Sequence, residues 1–291
     1  MSTVPTGDLP SADIGDIVGL LRLEHLEVNM FRGRAVSKES RRLYGGQVAA
    51  QALAAAGYTV GGARPHSLHA YFLRPGNSAF PVVFQVERLQ EGRTFKRRRV
   101  TAIQGGDAIL CLESSFTADG TVTAEYPAPP KVPAPENCPV YHHEGRLAAG
   151  QVNPWELFEA RPAVTEIPDG ARVTAMDMWF RVKDVTEAED IIPEAVITYL
   201  SDLTLAATAL RPGPGYPNGR PEVTGLTSLD HSMWFHNPAD LSDWLLYAKI
   251  APAAGAVRGL TAGQIFDRRG VAIASVAQEC LTHTHGPGQA S

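Results

Sequence analysis

Cysteine is scarce in this chain, and that scarcity removes one class of structure at once. Three cysteines among 291 residues (Cys111, Cys138 and Cys280) are too few, too scattered and odd in number for a disulfide framework. Their spacing fits no zinc-ligand pattern, so they read as small buried hydrophobes, and no bound metal is expected. Long apolar runs are missing too: none reaches the roughly 18 to 20 residues of a membrane-spanning helix. The N-terminus carries no basic region followed by an apolar stretch, so a cytoplasmic protein with no membrane partner is expected. Positive charge is not in excess. The formal net charge of −5 argues against a nucleic-acid partner, while leaving room for a local basic patch that meets an anionic ligand.

What is present is a globular composition, 44% hydrophobic and only 20% charged, which suits one large domain or two ordinary ones with a full core. Residues 13–21 read as a short amphipathic helix, and 23–36 as two strand segments broken near Asn29. The run at 45–58, Gly-Gly-Gln-Val-Ala-Ala-Gln-Ala-Leu-Ala-Ala-Ala-Gly-Tyr, is helical by propensity, and its alanines predict close packing on nearly every side. Strands follow at 66–74 and 81–89, then a hairpin over 93–117 turned at Gly105-Gly106. Between 119 and 154 the prolines Pro127, Pro129, Pro130, Pro133, Pro135 and Pro139 predict an extended linker. Beyond it, 155–161 and 174–183 read as strands, 193–210 as a helix opened by proline, 229–235 as a strand, and 257–283 as a hairpin turned at Arg269-Gly270.

That order occurs twice. Setting Phe72-Leu-Arg-Pro75 on Phe235-His-Asn-Pro238 gives an offset of 163 (235 − 72), and the hairpin glycines give 164 (270 − 106). A near-constant offset marks an internal duplication, an α+β pair with halves at 1–118 and 155–291, each an antiparallel sheet wrapped on one apolar helix.

Polar chemistry concentrates in Thr-Ser-Leu-Asp-His-Ser-Met-Trp-Phe-His-Asn-Pro at 227–238. Strand alternation sends Ser228, Asp230 and Ser232 to one face and His231 to the other, which makes a local Ser-His-Asp triad geometrically poor. Gly45 and Gly46 open the first helix, where free backbone N–H groups suit an oxyanion, and with Gln47 they form the candidate substrate-binding set. Lys96-Arg97-Arg98-Arg99 reads as a solvated strand face more readily than as a phosphate site. His66, His69 and His231 read as structural, and Gly213-Pro-Gly-Tyr-Pro-Asn-Gly219 as a surface turn.

Five segments in order carry a family resemblance: Tyr-Gly-Gly-Gln-Val…Gln-Ala-Leu (44–53), His-Ser-Leu-His-Ala-Tyr-Phe (66–72), Gly-Arg-Thr-Phe…Arg-Arg-Val (92–100), Ser-Leu-Asp-His-Ser-Met-Trp-Phe-His (228–236) and Ala-Ser-Val-Ala-Gln-Glu (274–279). Together they resemble the type II acyl-CoA thioesterases, which are double-hotdog enzymes. The resemblance implies hydrolysis of fatty acyl-CoA to fatty acid and coenzyme A, with no metal or cofactor. It also implies a catalytic set at Asp202, Ser228 and Gln278, with Thr227 the alternative hydroxyl. Chemically, the carboxylate would take a proton from a water that the hydroxyl and the carboxamide hold. A homo-oligomer, dimer or tetramer, is expected by analogy of fold. Two other functions stay open: a non-enzymatic acyl-CoA-binding protein, and a hydratase or dehydratase, although 40–58 lacks the Asp and His pair that the latter needs. The repeat sets Gln51 against Asp202 (202 − 151), Pro65 against Ser228 (228 − 163) and Ser114 against Gln278 (278 − 164), so one active site per chain is expected.

Overall fold

The structure, a computed structural model, describes residues 16–35, 41–118, 126–142, 153–170, 172–183, 190–212 and 223–284. Helix α1 (Ile17–Leu21) is capped by the Asp16 side chain, and strands β1 (Glu24–Glu27) and β2 (Met30–Gly33) turn at Asn29, whose φ is 60°. The alanine run becomes helix α2 (Gly45–Gly57), buried over residues 46–56. Small side chains let strands approach it closely. These are β2, β3 (Arg64–Phe72), β4 (Val82–Glu91), β5 (Phe95–Gln104) and β6 (Asp107–Thr117), with β5 and β6 joined through Gly105 and Gly106 at φ of 61° and 91°. A two-residue turn needs positive φ at both positions, which glycine tolerates.

The second half repeats the plan with β7 (Phe158–Pro162), β8 (Met178–Val182), helix α3 (Ile192–Asp202), β9 (Val223–Ser228), β10 (Asp230–Phe235), β11 (Leu245–Ala254), β12 (Arg258–Asp267) and β13 (Ala272–Thr284). The segments at 155–161 and 174–183 each begin as a 3-10 turn before their strand starts, and the helix expected over 193–210 stops at Asp202. Strand β11 falls in a gap of the sequence reading. Its first residues are buried on both faces, so no alternation marks them, and Pro252 sits at an irregularity of the ladder, beyond the part that pairs with β8.

Among the described residues all strands form one sheet in the order β1-β2-β4-β5-β6-β3-β10-β13-β12-β11-β8-β7, with β9 added on β13. The halves join at the antiparallel pair β3–β10, centred on His69 opposite Ser232. A shift of 163 maps that ladder onto itself: Tyr71 opposite Asp230 becomes Trp234 opposite Ser67. The same shift carries β4 onto β11 (82 + 163 = 245) and β5 onto β12 (95 + 163 = 258). This is a double hotdog, with α2 and α3 packed together inside the curl.

The helices follow a different offset. Gly45, at the start of α2, faces Asp202 at the end of α3, while Gly57, at the end of α2, faces Ile191 at the start of α3. They therefore run antiparallel. Gln51, which the repeat sets against Asp202, holds α1 to α2 by donating to the Leu20 carbonyl at 2.9 Å. Pro65 and Ser114 do occupy the positions related to Ser228 and Gln278, since His69 pairs with Glu113 and Ser232 with Ala277.

The described part of the proline-rich stretch, 126–142, is extended apart from one 3-10 turn at Pro135–Asn137, yet it is not a loose tether. It covers a second apolar cluster on the outer face of the C-terminal half, built on Trp179, Trp244, Leu246 and Phe266. Trp179 donates its indole N–H to the Pro133 carbonyl at 2.9 Å, and Arg161 donates to that of Pro135 at 2.9 Å. The segments 119–125 and 143–152, the start of the first helix and the Gly213 to Gly219 turn lie outside the described residues. Among the described residues no helix is long and apolar enough to cross a membrane.

A methyl group added at Gly57 would lie 2.6 Å from Ile191 Cβ. Gly57→Ala should therefore cost about 1–3 kcal/mol by overpacking, read as a lower urea midpoint, and Ile191→Ala in the same chain should return part of it.

Candidate active site

The end of α3 is fixed from outside the helix. Its last carbonyls have no intrahelical partner, and two phenols supply donors: Tyr44 Oη to the Tyr199 carbonyl at 2.9 Å and Tyr247 Oη to the Ser201 carbonyl at 2.7 Å. Burial, reinforced by the charge of Asp202, pushes both phenols well above the ordinary tyrosine range. They stay protonated and donating at any working pH. Asp202 is thereby held half-buried at the first turn of α2, where a methyl on Gly45 would meet its Oδ2 at 3.1 Å and the Phe72 ring at 3.0 Å. An anionic side chain thus lies at the positive end of the neighbouring helix.

Three side chains converge here from separate elements. Ser228 Oγ donates to Asp202 Oδ1 at 3.3 Å, and Gln278 Nε2 donates to Ser228 Oγ at 2.7 Å. The structure brings together all three residues inferred from the resemblance. Thr227 points elsewhere, meeting His283 at 2.9 Å and Arg42 at 3.4 Å. His231 departs from expectation: alternation puts it on the face away from Ser228, yet its Nδ1 meets Gln278 Oε1. The chain breaks between β9 and β10 at Leu229, whose N–H bonds to the Glu279 carbonyl and whose carbonyl bonds to the Phe72 N–H. That break shifts the phase of alternation by one, so Ser228 and His231 reach the same carboxamide. Asp230 is structural, accepting the Glu279 N–H at 2.7 Å.

A cavity of about 370 Å³ opens on this pair, and Gly45, Gln47, Asp202 and Ser228 line it. Gly46 does not. It faces inward, where a methyl would lie 2.6 Å from Tyr44 Oη, so its role is to admit that ring. Gln278 is also absent from the wall, only 1% exposed, and acts on the cavity through Ser228. The first turn of α2 has no side-chain cap, which leaves its N–H groups free to face the cavity.

The Lys96 to Arg99 run is remote from this cavity. Arg98 is fully buried, donating to Thr59, to two carbonyls and to Glu91, and so is not part of a solvated face. Arg99 pairs with Glu113 at 2.7 Å. The cations that do border the cavity, Arg42 and Arg74, went unnoticed in the sequence, as did Ser201 and the tyrosines. Only one signal pointed to any of them: Tyr44 directly precedes the glycine pair. Among the described residues no group of three or more His, Cys, Asp or Glu side chains is placed to hold a metal ion.

Comparison with known proteins finds matches over both halves. A family model described as acyl-CoA thioesterase matches residues 149–281, and one described as acyl-CoA thioesterase N-terminal domain matches residues 36–118. Acyl-CoA thioesterase 2 of Haemophilus influenzae is 35% identical, over 92% of this chain and 97% of the relative. The chain belongs to the acyl-CoA thioesterase family. It is a thioester hydrolase. Mouse acyl-coenzyme A thioesterase 8 is 34% identical over 92% of each chain. Among solved structures, the acyl-CoA thioesterase II TesB2 of Mycobacterium marinum superimposes with a TM-score of 0.76 at 33% identity, covering 94% of this chain and 99% of that one. A hot dog fold protein of Alicyclobacillus acidocaldarius, at 18% identity and a TM-score of 0.73 over 93% and 98%, shares the fold.

The raised phenols carry a sign. A tyrosine whose folded pKa lies above its unfolded value of about 10 contributes stability that is complete below that pH and lost as pH rises beyond it. Replacing Tyr247→Phe removes one such proton. The fall of stability between about pH 10 and 11 should shrink by about 1 kcal/mol, measured from urea midpoints. An unchanged fall would mean that Tyr247 ionises in the folded protein.

Proposed function

We propose that this acyl-CoA thioesterase hydrolyses fatty acyl-CoA by direct attack of a water held between Asp202 and Ser228. The observation that carries the reading is the 3.3 Å contact of these two side chains in the wall of a cavity at the N-terminus of α2. The water oxygen bonds to the thioester carbonyl carbon while its proton passes to the Asp202 carboxylate. The carbonyl oxygen becomes an oxyanion facing the uncapped N–H groups of the α2 first turn, from Gly45 to Gln47, in a site where fixed dipoles act strongly. Collapse re-forms the carbonyl, breaks the carbon–sulfur bond and returns the proton from Asp202 to the departing thiolate. Fatty acid and coenzyme A leave.

The surroundings suit such a substrate. Leu43, Val48, Phe72, Ile109 and Leu110 supply apolar wall for an acyl chain, and Arg42 and Arg74 supply positive charge for the phosphates of coenzyme A. Arg74 is held in place by donating to the Ala108 carbonyl at 2.8 Å. In this scheme Gln278 is a positioning residue: it orients the serine hydroxyl and does not touch the water.

Asp202→Asn should lower kcat by about 10²-fold or more with the fold intact, followed as free thiol released from a panel of acyl-CoAs. Full turnover in that variant would sink the assignment, and so would an acyl group trapped on Ser228 and found by mass spectrometry, since water is the nucleophile here.

A single site per chain follows from the same reading. Pro65 stands at the position related to Ser228 and has no hydroxyl, and at the far end of the helix pair Ile191 packs against Gly57. Among the described residues Ser114 Oγ, which is buried, has no hydrogen-bond partner. Titration with an unhydrolysable acyl-CoA analogue should reach one equivalent per chain, and Ser114→Ala should keep full activity. Two productive equivalents would contradict the asymmetry.

A further inference from the structure

One buried ring has no part in the scheme so far. His231 is fully buried, with Nδ1 against Gln278 Oε1 and Nε2 2.7 Å from Ser201 Oγ. Gln278 Nε2 continues to Ser228 Oγ at 2.7 Å, and Ser228 Oγ to Asp202 Oδ1 at 3.3 Å. The file starts on Ser201 and ends on Asp202, neighbours in α3, so it closes a ring that ties β9, β10 and β13 to the end of that helix.

Most members of this file are ambivalent. A hydroxyl, a carboxamide and an imidazole can each face either way, donating where they had accepted. The carboxylate cannot, because it only accepts. For Asp202 to be served, Ser228 must give it the hydroxyl proton and accept from the Gln278 NH₂, and Gln278 Oε1 must in turn accept from His231 Nδ1–H. His231 Nε2 then takes the Ser201 proton. In the reverse setting Nε2–H donates to Ser201, whose own proton goes to the Thr198 carbonyl 2.8 Å away. The carboxamide is then flipped, Ser228 donates to Gln278, and Asp202 loses its donor.

We infer that His231 is a positioning residue: through its Nδ1–H tautomer it fixes which end of the Gln278 carboxamide faces Ser228, and so turns the serine proton toward Asp202. This rests on the reading of Asp202 and Ser228 as the water-holding pair, and it adds what sets their orientation.

The first test is spectroscopic and needs no turnover. In protein labelled with ¹⁵N-histidine, the His231 resonances, assigned by their absence from His231→Asn, should show a protonated Nδ1 and a bare Nε2. The opposite tautomer overturns the inference. The second test is kinetic. His231→Leu should lower kcat by about 10²-fold with little change in KM, and His231→Asn, whose amide nitrogen falls near the place of Nδ1, should recover most of that loss. In a Gln278→Ala background, His231→Leu should cost nothing more, whereas losses that multiply would mark a packing role and overturn the inference. Should the Leu variant fail to fold, the wild-type spectrum and the Asn variant still decide. Gln278→Ala with full kcat would instead sink the mechanism itself, which keeps the two failures distinct.

Discussion

The meeting of Gly45 with the Asp202 carboxylate is the contact on which the rest of the structure turns. It places the positive end of one helix against an acid at the end of the other, at a separation where a β-carbon would crowd the carboxylate and the Phe72 ring. Everything around it enforces that approach. Tyr44 and Tyr247 hold the last carbonyls of α3, Gly46 makes space for the Tyr44 ring, and the break at Leu229 carries Ser228 to the same point.

The two ends of the helix pair differ, and only one is polar. At the other end of the helix pair the same antiparallel packing brings Ile191 against Gly57, and the ion pair of Arg64 with Glu194 at 3.1 Å closes the surface nearby. The ladder is symmetric about His69 and Ser232, while the side chains at the two ends of the helix pair are not. One location became a packed joint and the other a cavity.

Much of this was legible in the residues. The alanine run announced a helix buried all round, and the offset of 163 anticipated the ladder that joins the halves. Extended to its end, the same offset would also have located β11. What stayed hidden has physical causes. Helix register cannot be counted from a sheet offset, because the loops before α2 and α3 differ in length. His231 was assigned to the wrong face because strand alternation assumes an unbroken strand, and nothing in Ser-Leu-Asp marks the break at Leu229. The proline stretch told of extended chain but not of what it covers, since Trp179 and Trp244 lie well beyond it in sequence.

The seam between the halves has a consequence for what counts as a unit. Neither repeat contains a smaller version of the site: one holds the helix start, the other the acid, the hydroxyl and the carboxamide. Cutting the chain between them would give two fragments with nothing to titrate separately, and any turnover in their mixture would report that β3 and β10 had found each other. The ladder of Ser67 to Tyr71 on Asp230 to Trp234 is thus the joint through which two incomplete halves share one cavity.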